Sequence, residues 1–199
     1  NDLEDWTELP QKTFSCWVYN DGNTEEARIF NTGYETTAGA TAFGLGIDGA
    51  GSGGGDNIPF YFLRNTSAGA IKTSFGAAMA TATWYHFTIV QDGANDTAYI
   101  YRDGVLEATV STVGEIAQNA NATNATMGRH WVASQGGFFD GKIRDVRLYD
   151  YDFSADQVSS LYSGSYNVTP QHWWKMDDGG THASGSSTVE DYGTGTDYD

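Results

Sequence analysis

Carboxylates are the commonest ionisable groups in this chain of 199 residues, so acid–base chemistry is the first possibility to weigh. Splitting a glycosidic bond takes two carboxyl groups that face each other about 5–9 Å apart. Asp140 and Asp145 are five apart, a spacing that sends them to opposite faces of a regular strand. Glu25 and Glu26 are neighbours and diverge for the same reason. His86, His130, His172 and His182 lack the spacing of a zinc site, and no Ser, His and Asp are arranged as a nucleophilic triad. Gly44-Leu45-Gly46-Ile47-Asp48-Gly49 matches G-x-G-x-x-G, but no helix pattern follows it, so a dinucleotide site is not expected there. Cys16 is the only cysteine, which excludes an internal disulfide. It alternates with Phe14 and Val18 and has no basic cluster beside it, as a buried, inert thiol would. These residue types in these patterns predict no enzyme.

Binding chemistry is better represented. His130-Trp131 precede a Gly136-Gly137 turn, and Tyr61, Tyr99 and Tyr101 fall in strand-like stretches where they would line a sheet face, so their rings are candidates for stacking on a sugar. Asn65, Asn95, Asn121, Asn124 and Asn167 each begin an N-x-S/T sequon, an excess that suggests a secreted glycoprotein. Ten basic against 26 acidic residues leave a net charge of −16, which argues against nucleic acid and anionic membranes as partners. No apolar run approaches the ~20 residues needed to span a bilayer, so no membrane insertion is expected. There is no signal-peptide pattern, and the chain opens on Asn1 rather than Met, as a fragment or processed product would.

Short strands must position these groups. With 25 Gly and 3 Pro, the composition favours many tight turns over long helices. Thr13–Tyr19, Arg28–Phe30, Ala42–Ile47, Phe60–Leu63, Ala70–Ser74, Trp84–Gln91, Thr97–Tyr101 and Val105–Val110 read as strands. Ala125–Trp131, Phe138–Ile143 and Val146–Tyr149 follow as three more. Asp103-Gly104 predicts a two-residue type I′ hairpin turn. Gly49–Gly55 and Asn119–Thr126 read as loops. Ser154 with Gln157 forms a capping-box pattern, and Val158, Leu161 and Tyr162 give the helix it opens one apolar face. The expected fold is all-β: an antiparallel two-sheet sandwich with one short helix.

Six segments in order carry a resemblance: Thr13-Phe14-Ser15-Cys16-Trp17-Val18, Trp84-Tyr85-His86-Phe87, Tyr101-Arg102-Asp103-Gly104, Met127-Gly128, Phe139 through Tyr149, and Phe153 through Tyr162. Together they resemble the laminin-G-like domains of the concanavalin A-like jelly-roll superfamily. The resemblance implies a module that binds and rarely catalyses; relatives that hydrolyse glycans carry a strand motif of roughly E-x-D-x-x-E, which is missing here. It also implies a Ca²⁺ held by Asp191 and Gly193 with Asp140 or Asp145, although the position after Ile143, often acidic in relatives, is Arg144. The family's opening segment, W-x-F-D-E-G then D-x-x-G, has its counterpart at the far end, in Trp173–Gly179 and Glu190–Gly193. Residues 1–166 are therefore expected to form the sandwich. Residues 167–199 would complete it, begin a second repeat, or dock on a neighbouring copy.

The expectation is a non-catalytic recognition or adhesion module, outside the cell, on its surface or on a virion. Its partners would be glycans or glycoproteins, or other copies of itself, with Ca²⁺ as the cofactor. Two alternatives stand beside it: a structural repeat of a filament, capsid decoration or adhesin stalk, and an atypical glycan-degrading enzyme.

Overall fold

Backbone pairing places each strand of the computed structural model in one of two sheets, and alternation of side chains turns one face of each strand inward. The structure describes residues 6, 9–33, 42–49, 56–65, 69–111, 125–129, 137–176 and 191–194. Eleven strands are found there: β1 (Lys12–Asn20), β2 (Ala27–Gly33), β3 (Ala42–Asp48), β4 (Ile58–Asn65), β5 (Gly69–Ser74), β6 (Thr83–Asp92), β7 (Thr97–Arg102), β8 (Val105–Ser111), β9 (Ala125–Met127), β10 (Gly141–Tyr149) and β11 (His172–Trp174). A helix, α1 (Ala155–Tyr162), lies between the last two. Sheet A has the order β11-β10-β1-β6-β7-β8 and sheet B the order β5-β4-β3-β2-β9, with every pairing antiparallel. This is the jelly-roll sandwich expected from the sequence.

β1 shows how sequence sets the layers. Phe14, Cys16 and Val18 face inward and are fully buried, against Ile89, Phe87 and Tyr85 of β6 in register. Facing them across the core are Phe43, Leu45 and Ile47 of β3 and Tyr61 and Leu63 of β4. Each large apolar side chain removed from water here stabilises the sandwich by about 1.5–3 kcal/mol. Tyr61 is thus a core residue, 0% exposed, with its ring edge-on to Phe43 at 5.9 Å. The expectation that it lines a binding face is corrected: alternation along β4 turns Tyr61 and Leu63 inward and leaves Phe60 and Phe62 outward. Burial pushes its hydroxyl pKa up. Burial likewise raises the Cys16 thiol, which keeps it from acting as a nucleophile.

The outer face of sheet B is filled by its own side chains. The Phe60 ring packs against Gly46, where a Cβ would come within 2.3 Å of it. Arg28 caps Phe60 and Phe62 at 4.7 and 5.3 Å, and Lys72 bridges Glu26 and the buried Asp48.

Two local signals form as the sequence predicts. Asp103 and Gly104 take φ of 51° and 77°, the paired positive values of a type I′ turn. Ser154 and Gln157 close a reciprocal capping box at the start of α1. One signal is read differently by the fold. Phe138–Ile143 and Val146–Tyr149 are not two strands: Gly141–Tyr149 is a single strand, β10, with a bulge at Asp145, whose φ is +50°.

β11 uses both members of its Trp pair. Trp174 pairs with Val146 and packs on the core, whereas Trp173 pairs with Arg147 and faces outward. Asp191 holds this strand in place. Its Oδ1 accepts from Trp173 N (2.7 Å) and Gly193 N (2.8 Å), and its Oδ2 lies 2.5 Å from Nδ1 of the buried His172. Replacing Asp191 by Ala removes three hydrogen bonds to a charged acceptor. Unfolding in urea, followed by Trp fluorescence, should then show a loss of about 2–3 kcal/mol; a loss below about 0.5 kcal/mol would mean that the carboxylate does not anchor β11.

Candidate functional site

Outward-facing residues of sheet A near β10 form an open cleft of about 500 Å³. Its floor is Trp17 of β1 and His86 of β6, which are register partners. One wall is Tyr162, from the last turn of α1, and the chain that follows it through Pro170. The opposite wall is Arg144, Asp145 and Arg147 of β10 with Trp173 of β11. Trp17, His86 and Tyr162 form a ring cluster with centroids 5.0–5.8 Å apart.

The bulge decides which cations reach the cleft. Trp17 pairs with Arg144 and Ser15 with Arg147, so three residue steps on β10 match two on β1. The extra residue, Asp145, lets Arg144 and Arg147 share one face, although a regular strand would put residues three apart on opposite faces. Asp145 Oδ1 in turn accepts from Trp173 Nε1 (3.1 Å) and Arg147 Nη2 (3.3 Å). The guanidinium of Arg147 lies 4.5 Å from the Trp173 ring centroid.

His86 is 3% exposed, and its Nδ1 has no hydrogen-bond partner among the described residues. Burial, aided by the positive charge of Arg147, lowers its pKa to about 3. It is a neutral, polar floor at physiological pH and no proton carrier.

The sequence profile of the concanavalin A-like lectin/glucanases superfamily matches residues 3–159. The chain belongs to this superfamily. A search of curated proteins gave no match. Among solved structures, a candidate carbohydrate-binding protein from Bacteroides ovatus is similar over 92% of this chain and 50% of its own, with a TM-score of 0.67 and 18% identity. This chain thus spans half the length of that protein. A carbohydrate-binding module of a Ruminococcus gnavus sialidase, bound to α2,3 sialyllactose, aligns over 81% of this chain and 90% of its own (TM-score 0.64, 18% identity). Domain 4 of an extracellular arabinanase from Geobacillus stearothermophilus, in complex with arabinotriose, aligns over 78% and 68% (TM-score 0.58, 19% identity). At these identities the likeness is one of fold.

The residues singled out in the sequence are scattered. Tyr99 is half-buried on the outer face of sheet A, against the cluster of Tyr101, Tyr149 and Phe153 that α1 covers. His130, Trp131, Asn121 and Asn124 lie outside the described residues. Asn95 is exposed at the β6–β7 turn and Asn167 is exposed on the cleft wall, whereas Asn65 ends β4.

The four residues assigned to Ca²⁺ do not fit that ion, which takes six to eight oxygens. Both Asp191 oxygens are engaged by nitrogen groups, and so is Asp145 Oδ1. Asp140 lies beside Asn23, roughly 20 Å along β10 from the pairing partner of Trp173. Gly193 is glycine for a steric reason, since a Cβ there would meet Gln171 O at 2.1 Å. Among the described residues no three His, Cys, Asp or Glu side chains converge. The Asp191-Tyr192-Gly193 segment here builds a strand anchor.

Trp17, Arg144, Arg147, Tyr162 and Trp173 escaped the sequence reading. One signal was present: Trp17 and Tyr19 occupy the alternate face of a strand whose other face is already apolar.

The low His86 pKa predicts an acid-labile fold. Unfolded His titrates near 6.5, so between pH 6.5 and about 3 the unfolded chain binds the extra proton. Stability from the neutral ring is complete above pH 6.5 and lost as pH falls towards 3. His86→Phe should remove this component, on the order of a few kcal/mol, from the difference in urea stability between pH 7 and pH 4. An unchanged difference would show that His86 is not desolvated.

Proposed function

We propose that this protein recognises glycans, without catalysis, in the cleft on the outer face of sheet A. The carrying observation is the lining: the aromatic rings of Trp17, Tyr162 and Trp173 surround an open space bordered by hydrogen-bond donors of Arg144 and Arg147. A sugar offers apolar C–H faces to aromatic rings and hydroxyls to donors, and a space of about 500 Å³ accommodates a small saccharide. The fold shared with a sialyllactose-bound module and an arabinotriose-bound domain supports the same reading.

The chemistry of the cleft supports binding rather than cleavage. Among the described residues Asp145 is its one lining carboxylate, already engaged by Arg147 and Trp173, whereas glycoside hydrolysis takes two. The module would act in adhesion outside the cell or on a cell or virion surface; the exposed sequons at Asn95 and Asn167 favour such a setting. It would do so without the calcium site that family resemblance implies.

Glycan-array screening followed by calorimetry tests the site. Trp17→Ala and Trp173→Ala should each weaken the best ligand at least about tenfold, or about 1.4 kcal/mol, while both variants still unfold cooperatively. Binding unchanged in both variants would place the site elsewhere. A wild-type protein that captures no glycan on a broad array would remove the reading.

A further inference from the structure

Cations in so acidic a chain should find carboxylates, and three of those elsewhere in the sandwich do. Arg28 pairs with Glu26, Lys72 with Glu26 and Asp48, and Arg102 with Glu107. The face around the cleft differs. Lys142, Arg144 and Lys175 make no ion pair among the described residues. Each is instead parked on aromatic rings: Lys142 over Tyr19 (4.6 Å), Arg144 over Trp84 (4.5 Å) and Trp17 (5.4 Å), and Lys175 over Trp173 (4.6 Å) and Tyr192 (3.9 Å).

Ring contacts hold a cation in place without occupying its N–H donors. Among the described residues Arg144 therefore keeps a complete guanidinium fork, oriented by two indoles and exposed to solvent. Lys142, Arg144 and Arg147 follow one another on the outer face of β10, where alternate residues stand about 7 Å apart. Arg147 shares its charge with Asp145, the only carboxylate among the described residues that line the cleft. The net −16 of the whole chain does not cancel this row, because beyond about 8 Å physiological salt screens exposed charges. A ligand in the cleft meets the local cations first.

We infer that the glycan taken by this cleft is anionic, a saccharide whose carboxylate or sulfate groups bind the unpaired row Lys142–Arg144 beside Arg147. This inference rests on the glycan-binding reading and narrows it. Guanidinium forks match both oxyanions in bidentate geometry, so the shared chemistry is an oxyanion on a sugar ring. The stacked rings beside each cation would supply the contact surface for the ring that carries it.

The test is a glycan array printed with neutral, carboxylated and sulfated oligosaccharides in separate arms, probed with the full chain and with Arg144→Gln and Arg144→Lys. The expected result is capture confined to one or both anionic arms, with about a tenfold loss in Arg144→Gln and a smaller loss in Arg144→Lys, which keeps the charge but not the fork. The arm that responds identifies the oxyanion. Capture of neutral glycans as strong as of their acidic counterparts would overturn the inference and leave the glycan reading intact. Anionic capture that Arg144→Gln leaves unchanged, with that variant folded as judged by its unfolding midpoint, would overturn the role of this row. No capture in any arm would sink the inference and the broader reading together.

Discussion

Asp145, the extra residue of β10, takes a backbone conformation of φ +50° that aspartate tolerates better than most side chains. Its N–H bonds to Lys175 O, and its carboxylate reaches the Trp173 indole and Arg147. The cleft depends on this one irregularity. Without it, alternation would turn Arg147 into the core and carry Val146 and Leu148 out to solvent. The bulge keeps those two in the core, sets Arg144 and Arg147 on the outer face, and ties edge strand β11 to its neighbour.

Around that point the sandwich divides its aromatics by task. Phe14, Phe30, Phe43 and Tyr61 pack between the sheets, mostly edge-on, where they exclude water. Tyr101, Tyr149 and Phe153 seat α1 on the outside of sheet A, so that Tyr162 closes over Trp17 and His86. A third set, Trp17, Tyr19, Trp84 and Trp173, remains on the outer face and orders cations. One residue type thus fills a core, docks a helix or dresses a surface, and the strand face on which it falls decides which.

Much of this was legible in the chain. The alternating face of β1 was visible in Thr13–Tyr19, the hairpin in Asp103-Gly104 and the helix start in Ser154 and Gln157, because each signal is local and each has a single physical solution. Tyr61 was misread because its stretch is apolar at every position, and periodicity then cannot say which side faces the core. Asp191 was read as a metal ligand through the resemblance of Glu190–Gly193 to the family's D-x-x-G segment. The same carboxylate and glycine serve equally well to clamp a strand, and only the positions of His172 and Trp173 distinguish the two uses.

By itself the sequence determined the architecture: the all-β class, the approximate strand order and the absence of a paired-carboxylate motif. It did so because burying one face of every strand constrains residue types at intervals of two. The cleft was decided by tertiary structure. Trp17, His86, Arg144, Tyr162 and Trp173 come from four strands and a helix spread across more than three quarters of the chain, and none neighbours another in sequence except through pairing. A one-residue register shift at Asp145 reverses which side chains face outward beyond it. Such a shift leaves composition and hydrophobic pattern almost unchanged, so it becomes visible only when β1 and β10 are laid side by side.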